Sequence, residues 1–170
     1  GFVRVAPDAE ADICVINSCS VTEYADKKCR NLIRKLHRRN PGAIIAVTGC
    51  YAQLKPQEIA AIEGVGIVLS NNDKGMLYKR VVELSGKGRA QIYSCDTESL
   101  TSFFAAFSSG DRTRAFLKVQ DGCDNACTYC IVHVARGRAT SRAADDVVRE
   151  CASYARAGAR EIVLTGINLG

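Results

Sequence analysis

Cys123, Cys127 and Cys130 form a C-x3-C-x2-C triad. Three thiolates on one short loop can face a common centre, and such thiolates hold iron–sulfur clusters. Three ligands on a four-iron cluster leave one iron without a protein ligand, so that iron can take a substrate or cofactor. Other chemistries use the same residues. With His133 the loop could make a Cys3His zinc site. Cys127-Thr128-Tyr129-Cys130 alone is a C-x-x-C dithiol motif. Inert cysteines clustered by chance are the bland reading.

The chain holds nine cysteines, an odd number that cannot all pair internally. Its start, Gly1-Phe2-Val3-Arg4, lacks the basic, apolar and cleavage segments of a secretory signal. A reduced, cytoplasmic protein is therefore expected, in which clustered cysteines are metal ligands or redox groups. Cys19 and Cys50 each fall just past a short apolar run. Taken alone, they read equally as small buried residues. Cys14, Cys29 and Cys151 sit on apolar faces and are expected in the core, while Cys95 has no assigned role.

The elements that must position these groups alternate in type. Residues 12–17, 43–48 and 65–70 are apolar runs suited to buried strands. Ser20 and Glu23 can form a capping box before a helix with Ala25, Cys29, Leu32, Ile33 and Leu36 on one face. Pro56 can open a second helix, and Asn72 or Asp73 can cap a third bearing Leu77, Val81 and Leu84, ended near Gly86. The order βαβαβα predicts a parallel sheet flanked by helices over residues 1–85. Residues 86–112 read as a linker, with Phe103, Phe104 and Phe107 and one short strand near 91–95. From 113 to 170 a strand, the cysteine loop, a helix over 145–157 and a strand over 161–165 make a βαβ unit. So short a unit is too small to enclose its own core, so the chain is expected to be a fragment of a longer protein.

Composition agrees with a soluble globular protein: 170 residues, 47% hydrophobic and 24% charged, with 14 Gly and 3 Pro. No apolar window reaches transmembrane length, so no membrane partner is expected. The formal net charge is +5, and residues 23–40 carry all of it, with seven Lys or Arg against two acids. Lys27, Arg30, Arg34 and Arg38 recur at helical spacing, with Lys28, Lys35 and Arg39 nearby. That stripe could meet RNA phosphates, where counterion release favours binding, or could simply be a solvated face. Arg136, Arg138 and Arg142 beside the cysteine loop could likewise meet RNA or a cofactor.

Longer stretches add a resemblance. The triad resembles the cluster loop of radical S-adenosylmethionine enzymes, and residues 116–123 (FLKVQDGC) with Ala135-Arg136-Gly137 resemble that superfamily's methylthiotransferase branch. Residues 15–22 (VINSCSVT) and 47–53 (VTGCYAQ) resemble the branch's N-terminal domain. Residues 25–39 are most similar to members acting on threonylcarbamoyladenosine in tRNA. The resemblance covers nearly the whole chain. His133 departs from it, standing where the family commonly has Pro.

The resemblance implies a tRNA-modifying transferase that inserts a methylthio group into threonylcarbamoyladenosine beside the anticodon. It implies S-adenosylmethionine and two 4Fe-4S clusters as cofactors, together with an electron donor such as a flavodoxin or ferredoxin and a sulfur source. Cys123, Cys127 and Cys130 would hold the radical cluster. Cys19 and Cys50 would hold the second, whose third ligand is expected upstream of Gly1. Tyr129, Gly166 and Asn168 are expected near the S-adenosylmethionine site by family position. Residues 113–170 would begin a radical-type partial barrel, and residues 1–170 alone are expected to be inactive. Isopentenyladenosine in tRNA or a ribosomal-protein aspartate are the alternative substrates within the family, and a non-catalytic zinc-binding RNA module is the alternative outside it.

Overall fold

The structure, a computed structural model, describes residues 2–84, 90–100, 103 and 114–169. Most of the stretch read as a linker, including Phe104 and Phe107, lies outside these residues, as does the helix end near Gly86. Two compact units are present, Gly1–Thr97 and Glu98–Gly170.

The first unit is a parallel sheet of four strands, in spatial order β1 (Ile13–Ser18), β2 (Ile44–Gly49), β3 (Val65–Leu69) and β4 (Gln91–Tyr93). The short strand expected inside the linker is therefore a member of this sheet. Helix α1 (Glu23–Arg39) connects β1 to β2; α2 (Cys50–Leu54) and α3 (Pro56–Ala60) connect β2 to β3; α4 (Leu77–Glu83) follows β3. Side chains alternate across the sheet, so each strand feeds two layers. Ile45 and Val47 of β2 pack with Cys29 and Ile33 of α1, Tyr51 and Ala52 of α2, and Ile59 of α3. Ala46, Ile67 and Leu69 pack on the opposite face with Val81 of α4. The α/β architecture expected from the strand–helix alternation is the one found.

Helix α1 begins later than the Ser20–Glu23 pattern suggests. Thr22 is the N-cap, and its hydroxyl accepts from the Ala25 amide at 3.2 Å. Ser20 turns its hydroxyl to the Asp26 carboxylate instead, at 2.7 Å. With Ser20 engaged by Asp26, it is Thr22 that meets a free amide of the first turn.

The second unit pairs β5 (Arg114–Lys118) with β8 (Glu161–Thr165) in parallel, residue for residue from Arg114↔Glu161 to Lys118↔Thr165. Between them lie β6 (Gln120–Asp121), the cysteine loop, α5 (Val132–Arg136), β7 (Thr140–Ser141) and α6 (Ala144–Arg156). The two short strands β6 and β7 pair antiparallel and so close the loop at its base. Among the described residues, no helix is long and apolar enough to cross a membrane.

Candidate metal centres and a basic cleft

In the first unit, strand register brings the two cysteine-bearing turns together. Ser18 and Gly49 are paired on the last rung of β1 and β2, and Cys19 and Cys50 are the next residues of each strand. Cys19 is exposed, whereas Cys50 opens α2 and is 8% exposed. Gly49 has φ of 99°, and a β-carbon there would collide with the Ser18 backbone. Only glycine lets the two strand ends approach so closely.

Side chains then lace this edge of the sheet. The Ser18 hydroxyl donates to the Thr48 carbonyl at 2.5 Å and accepts from the Ala52 amide at 3.3 Å. Gln53 donates to the Cys95 carbonyl at 2.8 Å and accepts from the Asn71 amide at 2.9 Å. It thereby joins α2 to the chain beyond β3 and β4. Cys95 takes part here through its backbone. Cys14 and Cys29 are buried, as expected, and burial raises the Cys29 thiol to about 11. Cys151 is only half-buried, on a helix with no fully buried residue.

Sequence reasoning passed over Asp26, which is 2% exposed and held by Ser20 and by Lys55 at 2.9 Å. Its signal was present: Asp26, Cys29 and Ile33 share the spacing of the buried face, so an acid occupies an apolar stripe.

The basic stripe is divided by these contacts. Lys27, Arg34 and Arg38 are exposed on α1. Arg30 is committed inward: it donates to the Tyr51 hydroxyl at 2.8 Å and pairs with Glu58 at 2.9 Å, while Tyr51 donates to Glu58 at 2.6 Å. Burial and the Glu58 hydrogen bond raise the Tyr51 phenol to about 12, so it stays a donor. A cleft of about 540 Å³ runs between α1 and α3, with Arg30, Arg34 and Arg38 on one wall and Ala61, Ile62 and Glu63 on the other. Its lining is mixed in charge, since Glu58 and Glu63 stand in the same cleft as the three arginines.

In the second unit, residues 122–131 carry the triad. Gly122 has φ of 70° and is packed against the Gly137–Arg138 backbone, which leaves no room for a β-carbon. The Cys123 amide donates to the Gly137 carbonyl at 3.1 Å, and the Cys130 amide to the Cys127 carbonyl at 3.0 Å. Cys127 is exposed and its two companions are half-buried. Burial raises the Asp121 carboxyl, but hydrogen bonds from Lys118 and Arg136 outweigh it and hold the pKa below its ordinary value. Asp121 remains an anion that anchors the base of the loop. His133 lies on α5 with a buried Nδ1 that has no hydrogen-bond partner among the described residues. Tyr129 is 90% exposed.

Gln120, buried at the start of β6, joins this loop to the one after β8. Its Nε2 donates to the Asp121 and Gly122 carbonyls, both at 2.8 Å. Its Oε1 accepts from the Ile167 amide at 2.7 Å and the Asn168 amide at 3.0 Å. Gly166 is in contact range of the same glutamine. Gly166 and Asn168 thus adjoin the backbone leading into Cys123. The three arginines near the loop are paired with carboxylates: Arg136 with Asp121, Arg138 with Asp124 and Arg142 with Glu150.

The donor set fits an iron–sulfur cluster by its chemistry. All three thiols are free of disulfides, they sit on one loop tied at its base, and the loop opens to solvent. Among the described residues, no three His, Cys, Asp or Glu side chains are gathered around one point.

Two family descriptions match. Residues 1–70 match "Uncharacterized protein family UPF0004", and residues 117–168 match "Radical SAM superfamily". The whole chain aligns at 40% identity with a threonylcarbamoyladenosine tRNA methylthiotransferase of Bacillus subtilis, covering 38% of that protein. A protein of the same description from Thermotoga maritima is 39% identical over the whole chain, again 38% of its length. A tRNA-2-methylthio-N(6)-dimethylallyladenosine synthase of Anaeromyxobacter dehalogenans is 36% identical over 99% of the chain and 37% of its own length. The chain therefore spans less than two fifths of these curated relatives.

Proposed function

Because the chain belongs to the radical S-adenosylmethionine methylthiotransferase family, we propose that the whole protein inserts a methylthio group into a tRNA adenosine. The preferred target is threonylcarbamoyladenosine beside the anticodon, since the more similar relatives carry that description. The observation that carries this reading is the tie made by Gln120. One buried side chain fixes the entrance of the C-x3-C-x2-C loop to the Gly166–Asn168 turn, at the carboxyl ends of two paired parallel strands. Ligands of α/β folds bind at that edge.

Cys123, Cys127 and Cys130 would hold one 4Fe-4S cluster, which when bound supplies the electron that begins radical chemistry on S-adenosylmethionine. The chain's own residues shape the site. Gly122 lets the loop entrance pass under the Gly137–Arg138 backbone, and Asp121 with Lys118 and Arg136 holds its base. Gln120 orders the Ile167 and Asn168 amides, and Gly166, Asn168 and Tyr129 would line the S-adenosylmethionine site. Cys19 and Cys50 would hold the second cluster with one further thiolate. Lys27, Arg34 and Arg38 would take tRNA phosphates, while Arg30 secures Tyr51, the residue after Cys50. The reaction, in the cytoplasm, would also draw an electron from a donor such as a flavodoxin or ferredoxin, sulfur from a sulfur source and the methyl group from a second S-adenosylmethionine.

Anaerobic reconstitution of the full-length protein, followed by digestion of the tRNA and mass analysis of its nucleosides, tests the reading. The methylthio derivative of threonylcarbamoyladenosine is expected. The derivative of isopentenyladenosine would replace the target but keep the reaction. Stoichiometric zinc with no modified nucleoside would overturn both.

A further inference from the structure

Asp26 is a buried anion on the face of α1 that otherwise carries Cys29 and Ile33. Removing a carboxylate from water is costly, and a buried ion pair seldom repays that cost as stability. What Asp26 does is geometric. Its Oδ1 accepts from Ser20, the residue after Cys19, at 2.7 Å. Its Oδ2 accepts from Lys55 Nζ at 2.9 Å, and Lys55 is the C-cap of α2, the helix that Cys50 opens. One carboxylate therefore grips both thiol-bearing turns. The rung Ser18↔Gly49 fixes the backbone beneath them, and Asp26 fixes the chain above it. Lys55 Nζ also lies over the Tyr51 ring, 5.7 Å from its centre, a second contact to the first turn of α2.

We propose that Asp26 is a positioning residue for the Cys19–Cys50 pair, tying the Cys19 turn and α2 into one unit through Ser20 and Lys55. The proposal rests on the reading that these two cysteines share an iron–sulfur cluster. The tie itself is a property of the apoprotein. Asp26→Asn keeps the size and an acceptor for Ser20 but loses the ion pair. Because it also removes the buried charge, Asp26→Asn is the milder change, whereas Lys55→Met keeps the aliphatic stem but leaves the Asp26 carboxylate without its cation. Both variants are made in the full-length protein with Cys123, Cys127 and Cys130 replaced by Ala, so that bound iron reports the N-terminal site alone.

Amide hydrogen exchange of the apoprotein should quicken severalfold over residues 18–24 and 49–55 together, with β3 unchanged. In the reconstituted protein, iron should pass to a chelator about tenfold faster, the effect typical of residues that orient metal ligands. Wild-type exchange in either turn, with wild-type iron retention, would overturn the proposal. If the unsubstituted protein holds no iron at this site, the second-cluster reading fails, and exchange of the two turns alone decides whether Asp26 ties them.

Discussion

Ser18 and Gly49 face each other on the last rung between β1 and β2, and each is followed directly by a cysteine. A parallel ladder carries both chains to the same edge, so one register decides that Cys19 and Cys50 emerge as neighbours. Gly49→Ala should force the two strand ends apart. Positive φ alone costs of order 1–3 kcal/mol, before the collision with Ser18 is counted. Denaturant unfolding of the full-length apoprotein measures it, and a midpoint equal to wild type would contradict the packing described.

The division of the basic stripe yields a second expectation. Arg34→Glu with Arg38→Glu should weaken tRNA binding in the full-length enzyme and lower the log–log salt slope by about two. Arg30→Ala should act differently, lowering stability because Tyr51 and Glu58 lose their shared cation, with little change in salt slope. Filter binding over a salt series separates these outcomes.

Thiol reactivity is a third readout. At pH 8 iodoacetamide should label Cys19 and Cys127 first in the apoprotein and Cys29 last, because Cys29 is buried and its thiol is raised to about 11. Between the ordinary thiol value and about 11, the unfolded chain releases a proton that the folded chain retains. Stability therefore falls as pH rises through that window. Cys29→Ala should remove part of that fall, and mass mapping of labelled peptides checks the order of reaction.

Gln120→Leu should leave two carbonyls and two amides without their partner. Each unmet buried group costs about 1–3 kcal/mol, partly relieved by water. In the full-length enzyme the KM for S-adenosylmethionine should rise more than kcat falls, since the glutamine orders the Ile167 and Asn168 amides. A fall in kcat alone would place Gln120 outside the cofactor's binding.

Much of the fold was legible because the strands at Ile13–Ser18, Ile44–Gly49 and Val65–Leu69 are mostly apolar, with polar residues only at the ends of the first two, and their alternation with helices implies parallel pairing. The cysteine positions followed from that alternation. The partners of the charged groups were not legible. Arg30 meets Glu58 across 28 positions of sequence, and Asp26 meets Lys55 across 29. Periodicity shows which face of a helix is polar, not which opposite charge another element brings to it. Helix α2 also escaped notice, because it follows β2 with only a positive-φ glycine as the break.

The most direct test of the central claim is cleavage of S-adenosylmethionine by the full-length protein, reconstituted anaerobically and compared with its Cys127→Ala variant. The account predicts that the unsubstituted protein forms 5′-deoxyadenosine, and that the variant loses both that product and the iron of the Cys123–Cys130 loop while the iron at Cys19 and Cys50 stays. Undiminished 5′-deoxyadenosine from the Cys127→Ala protein would contradict it.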